Sequence, residues 1–490
     1  DFSIGLAPGS VQVQQGQSAT VSVNLTLMGG FAQPVTITAT GLPTGVTADP
    51  LMIAAGMTTG QLTLHAAATA AQGGPTMVTV TGSAGSLSHN AQLGVLVSGA
   101  PGSLDLSFGT GGKFTTQVGG SSRSLGVAVQ SDGKILVSGD AVGSTQLLVL
   151  RLNPDGTLDS GFGTGGHTTT AIGTAAYGIA VLAAPNGKIL VAGGTTSNSM
   201  TYDAVVARYS ASGALDTTFG NMGTVVTDLG ATYDEVHHLF VQPDGKLLAG
   251  CLYFDSAGAQ AAVIVRYDVN GALDASFATG GKLTVTGFGY GGLVLQSDGK
   301  ILLGGGDTAG FGVYRYAPTG TLDSTFGSGG RASVMLSATD YGAGLDQLPD
   351  GRIVQTGNSV CGSMRCLSAA RLSNMGALDG SFGSGGKTLT SIPIQLVRNQ
   401  ALQADGKILA TFRQGSGTSQ ALAVARLTAN GGVDTAFGGA TGTPGVTAVT
   451  FGGTPSDAED VAVQADGRIL VVGVSGAVGA TTVAVARLWP

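Results

Sequence analysis

Charged residues are scarce in this chain. They make up 10% of its 490 residues, against roughly 25% in an average soluble protein. The formal net charge is −7, and Lys and Arg nowhere form a run, so the basic stripe that a nucleic-acid-binding protein needs is missing. No uninterrupted apolar segment approaches the roughly 18 to 20 residues of a transmembrane helix. The sequence therefore predicts neither a nucleic-acid partner nor a transmembrane segment.

Glycine, by contrast, is abundant, with 84 residues. Most other residues are Val, Ala, Thr and Leu, which is not the composition of a disordered chain. This composition predicts an all-β protein whose many short strands are joined by glycine turns. The abrupt start "DFSIGLAPGS" is interpreted as a processed start, which favours an extracellular or outer-surface location with room for a lipid anchor upstream of Asp1.

Cysteine is rare, at three residues. Cys361 and Cys366 lie in "SVCGSMRC", a connection between two strand-like runs. A disulfide that holds this loop suits a secreted chain. Two free thiols, or half of a metal site, are the alternatives. Cys251 in "LLAGCLYF" is expected to be a small buried hydrophobic residue.

Residues 1–98 contain six strand-like runs in which apolar residues alternate with Thr, Ser and Gln. This alternation predicts a two-sheet sandwich in which each sheet buries one face. The stretch "PVTITATGLPTGVTADP" resembles bacterial immunoglobulin-like modules of secreted and surface proteins, which implies a spacer or stalk. Residues 99–103 form a short Gly/Pro/Ser linker.

Residues 104–490 repeat with a period of about 55 residues. Two markers recur in seven copies: the Phe of "LDLSFG", and an Asp-Gly or Asn-Gly pair between two apolar runs. Such pairs are strong hairpin signals, in which both turn residues have positive φ. Each unit offers four strands, and a repeat of this size predicts a β-propeller blade. The sequence thus predicts a seven-bladed propeller with the apolar "LGVAVQ" strand innermost and a Thr-rich strand outermost.

The repeat begins with an outer strand and ends with three inner ones, so the first strand is expected to complete the last blade and close the ring. Charge spacing agrees with this frame. An Arg in every third strand is followed eight residues later by an Asp in six units. We predict that each Arg bridges its Asp and that Arg487, where the chain ends, bridges Asp105. Seven anion sites are the alternative interpretation of the arginines.

These units resemble the bacterial delta-60 repeat, with its pattern "LDxSFGxGGKxxT…AVQxDGKILVAG", and their layout is similar to that of NHL-type propellers. The resemblance covers residues 104–490 and implies a large secreted or surface protein of bacteria, with no particular activity. Ala278 departs from the pattern because it replaces the glycine after Phe277, and the fourth unit is short.

Binding residues are sought where the units differ, since repeated residues hold the ring together. Alignment on the Asp-Gly turns identifies the start of each inner strand. The polar and aromatic residues there are expected to converge at one mouth of the axial tunnel as a ligand site; the alternative is a solvated rim. The candidates are Arg123, Tyr177, Glu235, His237, His238, Tyr341, Arg398, Asn399, Glu459 and Asp460.

Metal and enzyme signatures are weak. His237 and His238 are adjacent in a strand, so their side chains are expected to point to opposite sides and not to chelate together. "GSFGSGGKT" has one residue too many for a P-loop and leads into a strand. We therefore expect no catalytic residue, no metal and no cofactor.

Three functions remain open. The leading hypothesis is a non-enzymatic binding or adhesion protein whose propeller presents a variable face to a glycan or a surface protein. The second is a structural subunit of an extracellular filament or coat, whose partners are its own copies. The third is a lactonase-like or lyase-like propeller enzyme with a metal in the tunnel.

Overall fold

The computed structural model describes residues 1–141, 143–198, 200–414, 420–438, 442–452, 455–477 and 479–490. Within these residues the secondary structure is entirely β, and no helix is long and apolar enough to cross a membrane. Two compact units are present: one comprises residues 1–112 with Trp489, and the other comprises residues 113–488 with Pro490. The first unit thus includes the linker and the first "LDLSFG" copy, which the sequence places with the repeats.

The first unit has a four-stranded sheet, β1-β3-β7-β5, and a five-stranded sheet, β2-β9-β8-β4-β6. Apolar residues alternate along these strands, so that Val21, Val23 and Leu25 of β3 are buried while Asn24 between them is exposed. Both sheets contribute to one apolar core. The strands are β1 (Phe2–Ala7), β2 (Ser10–Gln14), β3 (Ser18–Leu27), β4 (Val35–Thr40), β5 (Val46–Ala48), β6 (Leu51–Ile53), β7 (Thr59–Ala66), β8 (Gly73–Ala84) and β9 (Leu87–Ser98).

The second unit consists of seven four-stranded antiparallel sheets. Its strands are β10 (Lys113–Thr116), β11 (Arg123–Val129), β12 (Ile135–Ala141), β13 (Gln146–Leu152), β14 (His167–Ala171), β15 (Ala175–Ala183), β16 (Ile189–Thr196), β17 (Asp203–Tyr209), β18 (Thr224–Thr227), β19 (Tyr233–Val241), β20 (Leu247–Phe254), β21 (Gln260–Tyr267), β22 (Lys282–Thr286), β23 (Gly289–Leu295), β24 (Ile301–Asp307), β25 (Gly310–Tyr316), β26 (Arg331–Val334), β27 (Asp340–Gln347), β28 (Ile353–Cys361), β29 (Met364–Leu372), β30 (Lys387–Pro393), β31 (Val397–Leu402), β32 (Ile408–Gln414), β33 (Ala421–Leu427), β34 (Val446–Val449), β35 (Ser456–Val463), β36 (Ile469–Ser475) and β37 (Thr482–Leu488).

Consecutive sheets pack against each other in chain order. Six sheets contain four successive strands each, from β11–β14 to β31–β34, and the last sheet has the order β10-β37-β36-β35. Strand β10 pairs with β37, with Lys113 opposite Ala486, as the repeat frame predicts. Strand β11 in turn contacts β35 and β36, so the first and last sheets of this unit are neighbours. Apolar cores lie between neighbouring sheets; one of them joins Leu136 and Val149 to Val191 and Tyr209.

The Asp-Gly turns differ from the prediction in one respect. In the first of them Gly133 has a φ of 81°, whereas Asp132 is not among the described non-glycine residues of positive φ. Gln130 N–H donates to the carbonyl of Lys134 at 2.8 Å, which encloses three residues rather than two. These are three-residue hairpin loops with a left-handed glycine at the third position. A single glycine therefore suffices, because only one loop residue needs positive φ.

The six predicted Arg–Asp pairs all form, with Nε to Oδ2 distances of 2.7 to 2.9 Å. Each of these arginines also lies over the repeat phenylalanine, at 4.4 to 4.8 Å from the ring centroid. Five of them donate a further hydrogen bond to a backbone carbonyl of the next sheet's turn, for example Arg266 to Pro318 at 2.6 Å. We call this arrangement the arginine clamp, since it joins neighbouring sheets. The predicted pair of Arg487 and Asp105 belongs to two different units and stays a prediction.

Candidate functional site

A cavity of about 1270 Å³ opens where the inner strands of the second unit begin. Its lining comes from every one of the seven sheets, through the inner strand of each: β11, β15, β19, β23, β27, β31 and β35. All ten residues that the sequence singles out belong to this lining: Arg123, Tyr177, Glu235, His237, His238, Tyr341, Arg398, Asn399, Glu459 and Asp460. The alignment on the Asp-Gly turns thus identifies neighbours in space, and ligand binding by them stays a prediction.

A β-bulge occurs at the same position in all seven inner strands. In β11 the register jumps from Ser124 opposite Gly139 to Gly126 opposite Ser138, which leaves Leu125 without a partner. An extra residue of this kind bends the strand and redirects its side chain. The extra residues are Leu125, Ile179, His237, Gly291, Ala343, Arg398 and Glu459.

The bulge corrects the sequence-based interpretation of the two histidines. His237 is the extra residue of β19, so the strict alternation that would send its side chain and that of His238 to opposite sides is broken there. Both imidazole rings line the cavity and approach the same Tyr290 ring, with centroid separations of 5.9 and 5.7 Å. The side chains of these two adjacent residues therefore both approach Tyr290.

A glycine on the second strand makes room for the bulge in five of the seven sheets. A Cβ added at Gly139 would collide with the carbonyl oxygen of Arg123, and equivalent collisions occur at Gly193, Gly305, Gly357 and Gly473. In the other two sheets Cys251 and Phe412 occupy this position opposite the bulge. The glycine of the "KILVSG" motif is thus tied to the geometry of the cavity.

We expect Gly139→Ala to lower the free energy of unfolding by about 2 kcal/mol, because a buried methyl group must displace a neighbouring backbone. Urea unfolding of the variant beside the parent measures this change. The matched control is Gly380→Ala, where an added Cβ meets nothing within 4 Å. Equal stabilities of the two variants would show that the backbone opposite the bulge relaxes without cost.

Glu235 organises one side of the cavity. Glu235 is 5% exposed, and its carboxylate accepts hydrogen bonds from the Tyr177 hydroxyl and from His237 Nε2, the latter at 3.2 Å. Burial raises the pKa of Glu235, but the bonds from His237 and Tyr177 outweigh it and the net shift is downward. Burial and the charge of Glu235 raise the pKa of Tyr177. Glu235 is therefore an anion and Tyr177 a neutral donor.

Aromatic rings that the sequence analysis did not select extend this side. The Tyr177 and Tyr233 hydroxyl groups are 3.3 Å apart, and the ring of Tyr202 lies 5.8 Å from Tyr177 and 5.2 Å from Tyr233. Tyr290 O–H is 2.9 Å from His238 Nδ1, and burial lowers the pKa of His238 to about 3. His238 is consequently neutral near pH 7.

The opposite side of the cavity carries ion pairs. Arg398 lies 3.3 Å from Asp457 Oδ2 and 3.5 Å from Glu459 Oε2. Arg413 shares Asp457 at 3.1 Å. Burial raises the pKa of Glu459 to about 7, even though Arg398 acts in the other direction. Arg123 forms a separate pair with the buried Asp140.

Asn399 and Asp460 line the cavity and also form hydrogen bonds that connect neighbouring inner strands. Asn399 Nδ2 donates to Asp460 Oδ1 at 2.6 Å, and the other Asp460 oxygen accepts from Val127 N–H at 2.8 Å. These bonds connect three successive inner strands, β31, β35 and β11. Burial raises the pKa of Asp460 to about 6. Part of the predicted site therefore also has a structural role.

Tyr341 differs from the other candidates because it is 45% exposed. The Arg365 guanidinium lies over its ring, 4.5 Å from the centroid. Arg365 belongs to the hairpin of β28 and β29, which the Cys361–Cys366 disulfide closes with Cα atoms 5.9 Å apart. The disulfide thus rigidifies the hairpin that supports Tyr341 at the cavity. Cys251 is free and buried.

Comparison with known proteins gives partial matches to one family. Six segments match the family described as "Domain of unknown function (DUF5122) beta-propeller", and these are residues 130–162, 184–219, 242–277, 296–326, 403–437 and 464–490. No curated protein matches the chain. Together with the repeated four-stranded sheets, the family match supports a β-propeller repeat.

Several solved structures are similar at low identity. Sqt1 from Chaetomium thermophilum shares 12% identity over 76% of this chain and 97% of that chain, with a TM-score of 0.40. A DUF4784 family protein from Bacteroides caccae shares 9% identity over 96% of this chain and 92% of its own, with a TM-score of 0.26.

Proposed function

We propose that this β-propeller repeat protein is a non-enzymatic binding protein of the bacterial cell exterior. In this proposal the seven four-stranded sheets are the blades of a seven-bladed propeller, and the two-sheet N-terminal unit is an immunoglobulin-like spacer. The cavity at the start of the inner strands takes the end of a saccharide chain. The Cys361–Cys366 disulfide favours an oxidising, extracellular environment.

The observation that carries the proposal is the combination of chemical groups in one cavity. Tyrosine rings offer apolar faces for the C–H side of a sugar, and carboxylates beside arginines offer acceptors and donors for its hydroxyl groups. The volume of about 1270 Å³ is somewhat above the roughly 300 to 1,000 Å³ that a small-molecule site usually has. A cavity of this size can therefore admit an oligosaccharide end, which is larger than a single sugar.

Ion pairing within the cavity favours a neutral ligand over an anionic one. The arginines are already matched, Arg123 by Asp140 and Arg398 by Asp457 and Glu459. Glu235 adds a further buried negative charge on the opposite side. An anionic sugar would have to break an existing pair, whereas hydroxyl groups can join the pairs without displacing them.

The test is a glycan-binding screen with the full chain and with a triple variant, His237→Ala, Arg398→Ala and Glu459→Ala. Arg398 and Glu459 are removed together so that neither leaves a buried unpaired charge behind. We expect the variant to bind the glycan at least about tenfold more weakly, a loss of about 1.4 kcal/mol. Direct titration of the selected glycan gives the affinities.

The matched control changes Asp132, Asp298 and Asp405 of the Asp-Gly turns to Asn. Asn186 forms the same turn in the second repeat unit and accepts a hydrogen bond from Lys188 N–H at 3.1 Å, as Asp132 does from Lys134. Equal losses in both variants would contradict a site in the cavity. If the parent binds no glycan at all, the structural-subunit hypothesis becomes the better one, and association of the chain with its own copies would then be measured.

A further inference from the structure

Three aspartates from two neighbouring sheets meet at one edge of the second unit. Asp203 begins β17, Asp228 directly follows β18, and Asp234 lies near the start of β19. One carboxylate oxygen of each residue lies within 4.8 Å of the others. Strands β17 and β18 pair with Ala204 opposite Thr227, which places Asp203 and Asp228 side by side. We call this group the aspartate cluster.

Asp234 is completely buried, and among the described residues no donor lies in hydrogen-bonding geometry with one of its oxygens. Its Oδ2 accepts from Leu229 N–H at 2.8 Å, whereas its Oδ1 is the oxygen that lacks such a donor. Burying a carboxylate oxygen without a hydrogen-bond partner costs free energy, so we expect a bound ligand at this oxygen. Burial raises the pKa of Asp234 to about 6, and the amide groups of Leu229 and Ala231 only partly oppose this shift.

The equivalent residue of the fifth repeat unit, Asp340, has hydrogen bonds to both of its carboxylate oxygens. Asp340 stands ten residues before its turn aspartate, as Asp234 does. There the hydroxyl of Ser337 donates to Asp340 Oδ1 at 2.7 Å, and the Leu336 amide donates to Oδ2 at 2.8 Å. At Asp234 no such hydroxyl is present among the described contacts, and two further carboxylates take its place.

No side-chain cation neutralises the cluster among the described residues. The clamp lysines and arginines of these two sheets pair with Asp216 and Asp274 instead. Lys282 Nζ lies close by but donates to the backbone carbonyl of Asp228, at 2.9 Å. Three carboxylates thus share a small volume, and the charges of Asp203 and Asp228 disfavour ionisation of Asp234.

We propose that the aspartate cluster is a calcium site, in which Ca²⁺ binds one oxygen each of Asp203, Asp228 and Asp234. Calcium takes oxygen ligands at about 2.3–2.6 Å, so two oxygens bound to the same ion are at most about 5 Å apart. The separation within 4.8 Å meets this limit. An all-oxygen set favours a hard cation over zinc, and Ca²⁺ tolerates ligands from irregular strand ends better than Mg²⁺ does.

The test titrates the EDTA-treated full chain with Ca²⁺ in a calorimeter. We expect a dissociation constant of about 10⁻⁴ to 10⁻³ M, the range of extracellular calcium modules. Asp228→Asn should weaken binding at least about tenfold while it preserves the fold, because Asp228 is exposed and an Asn oxygen can still accept from Gly230 N–H. Asp203→Asn is expected to have the same effect.

The matched control is Asp255→Asn, which removes a negative charge in the loop between β20 and β21 outside the cluster. It should bind Ca²⁺ as the parent does. The proposal is overturned if the parent gives no binding heat at Ca²⁺ concentrations up to about 10⁻² M, ten times the upper expected dissociation constant. It is equally overturned if Asp203→Asn and Asp228→Asn bind like the parent, or if Mg²⁺ binds at least as tightly.

Discussion

Replacing Arg371 with alanine is expected to lower the free energy of unfolding of the second unit by about 3 kcal/mol, the usual cost of breaking a buried ion pair. The Arg371 side chain is 2% exposed and pairs with Asp379 at 2.7 Å. It also lies 4.8 Å from the Phe382 centroid and donates to the Ala429 carbonyl of the next sheet. Alanine removes all three contacts and leaves a cavity. Urea unfolding followed by circular dichroism measures the change.

Arg352 provides a matched control because it pairs with the same aspartate, at 3.2 Å, but is 37% exposed. Exposed pairs contribute about 0 to 1 kcal/mol, so Arg352→Ala should have a small effect. Arg371→Lys should recover only part of the loss, since an ammonium group cannot reproduce the planar fork of arginine. Similar effects of Arg352→Ala and Arg371→Ala would mean that charge alone, and not the clamp geometry, stabilises the sheets.

The clamp illustrates what a repeated sequence reveals. The eight-residue spacing from each Arg to its Asp appears six times, and repetition separates a structural contact from coincidence. The third partner, a lysine or arginine from the Asp-Gly turn such as Lys134 on Asp159 at 2.9 Å, also repeats. The sequence does not reveal this pair, because its two residues lie in different turns that are far apart along the chain.

The shape of the cavity is harder to predict. The alignment finds its residues, because position within a repeat unit determines position along the inner strand. It does not reveal the bulge, which follows from the packing of a carbonyl against a glycine on the neighbouring strand. For the same reason the directions of His237 and His238 are wrongly predicted, since the period-two rule holds only in regular strands.

The aspartate cluster shows a second limit. Its three members are spread over 32 residues of sequence and belong to no ligand motif. They become neighbours only because β17 and β18 pair and β19 packs beside them: Asp234 N–H donates to the Tyr202 carbonyl at 2.9 Å. Contacts between two repeat units at positions where the units differ have no periodic signal, so sequence reasoning misses them.

The second large effect expected is a stability maximum in mild acid, near pH 4 to 5. Buried carboxyl groups whose pKa is raised stabilise the fold only while they are protonated, so stability falls as pH rises through about 6 to 7. Glu459 and Asp346 have pKa values raised to about 7 by burial, and Asp460 and Asp234 to about 6. His238 acts in the opposite direction. Burial lowers its pKa to about 3, so this one residue makes the fold less stable as the pH falls below about 6.5.

The clamp aspartates produce the acid limb of the profile. Hydrogen bonds from Thr325 lower the pKa of Asp323 to about 2, and Arg315 acts in the same direction. A carboxyl group with a lowered pKa stabilises the fold at pH values above its pKa in the unfolded chain, about 3.9. This stabilisation is lost as the pH falls through about 2, the pKa of Asp323 in the folded protein. Stability should therefore decline on both sides of the maximum. Between pH 5 and 8 the decline is expected to be a few kcal/mol, about 1 kcal/mol from each of the four carboxyl groups, because solvent screening reduces the full value of about 1.4 kcal/mol for each pKa unit.

Urea unfolding from pH 3 to 8, in the presence of EDTA so that the aspartate cluster stays free of cations, measures this profile. Asp346→Asn isolates one contribution, because an amide stays neutral where the carboxyl group ionises. The variant should match the parent near pH 4 and be more stable at pH 8. Asp346 is half-buried, so water screens its charge and the gain is expected to be about 1 kcal/mol. A variant less stable than the parent at pH 8 would mean that ionised Asp346 stabilises the fold, and the alkaline limb would then need another cause.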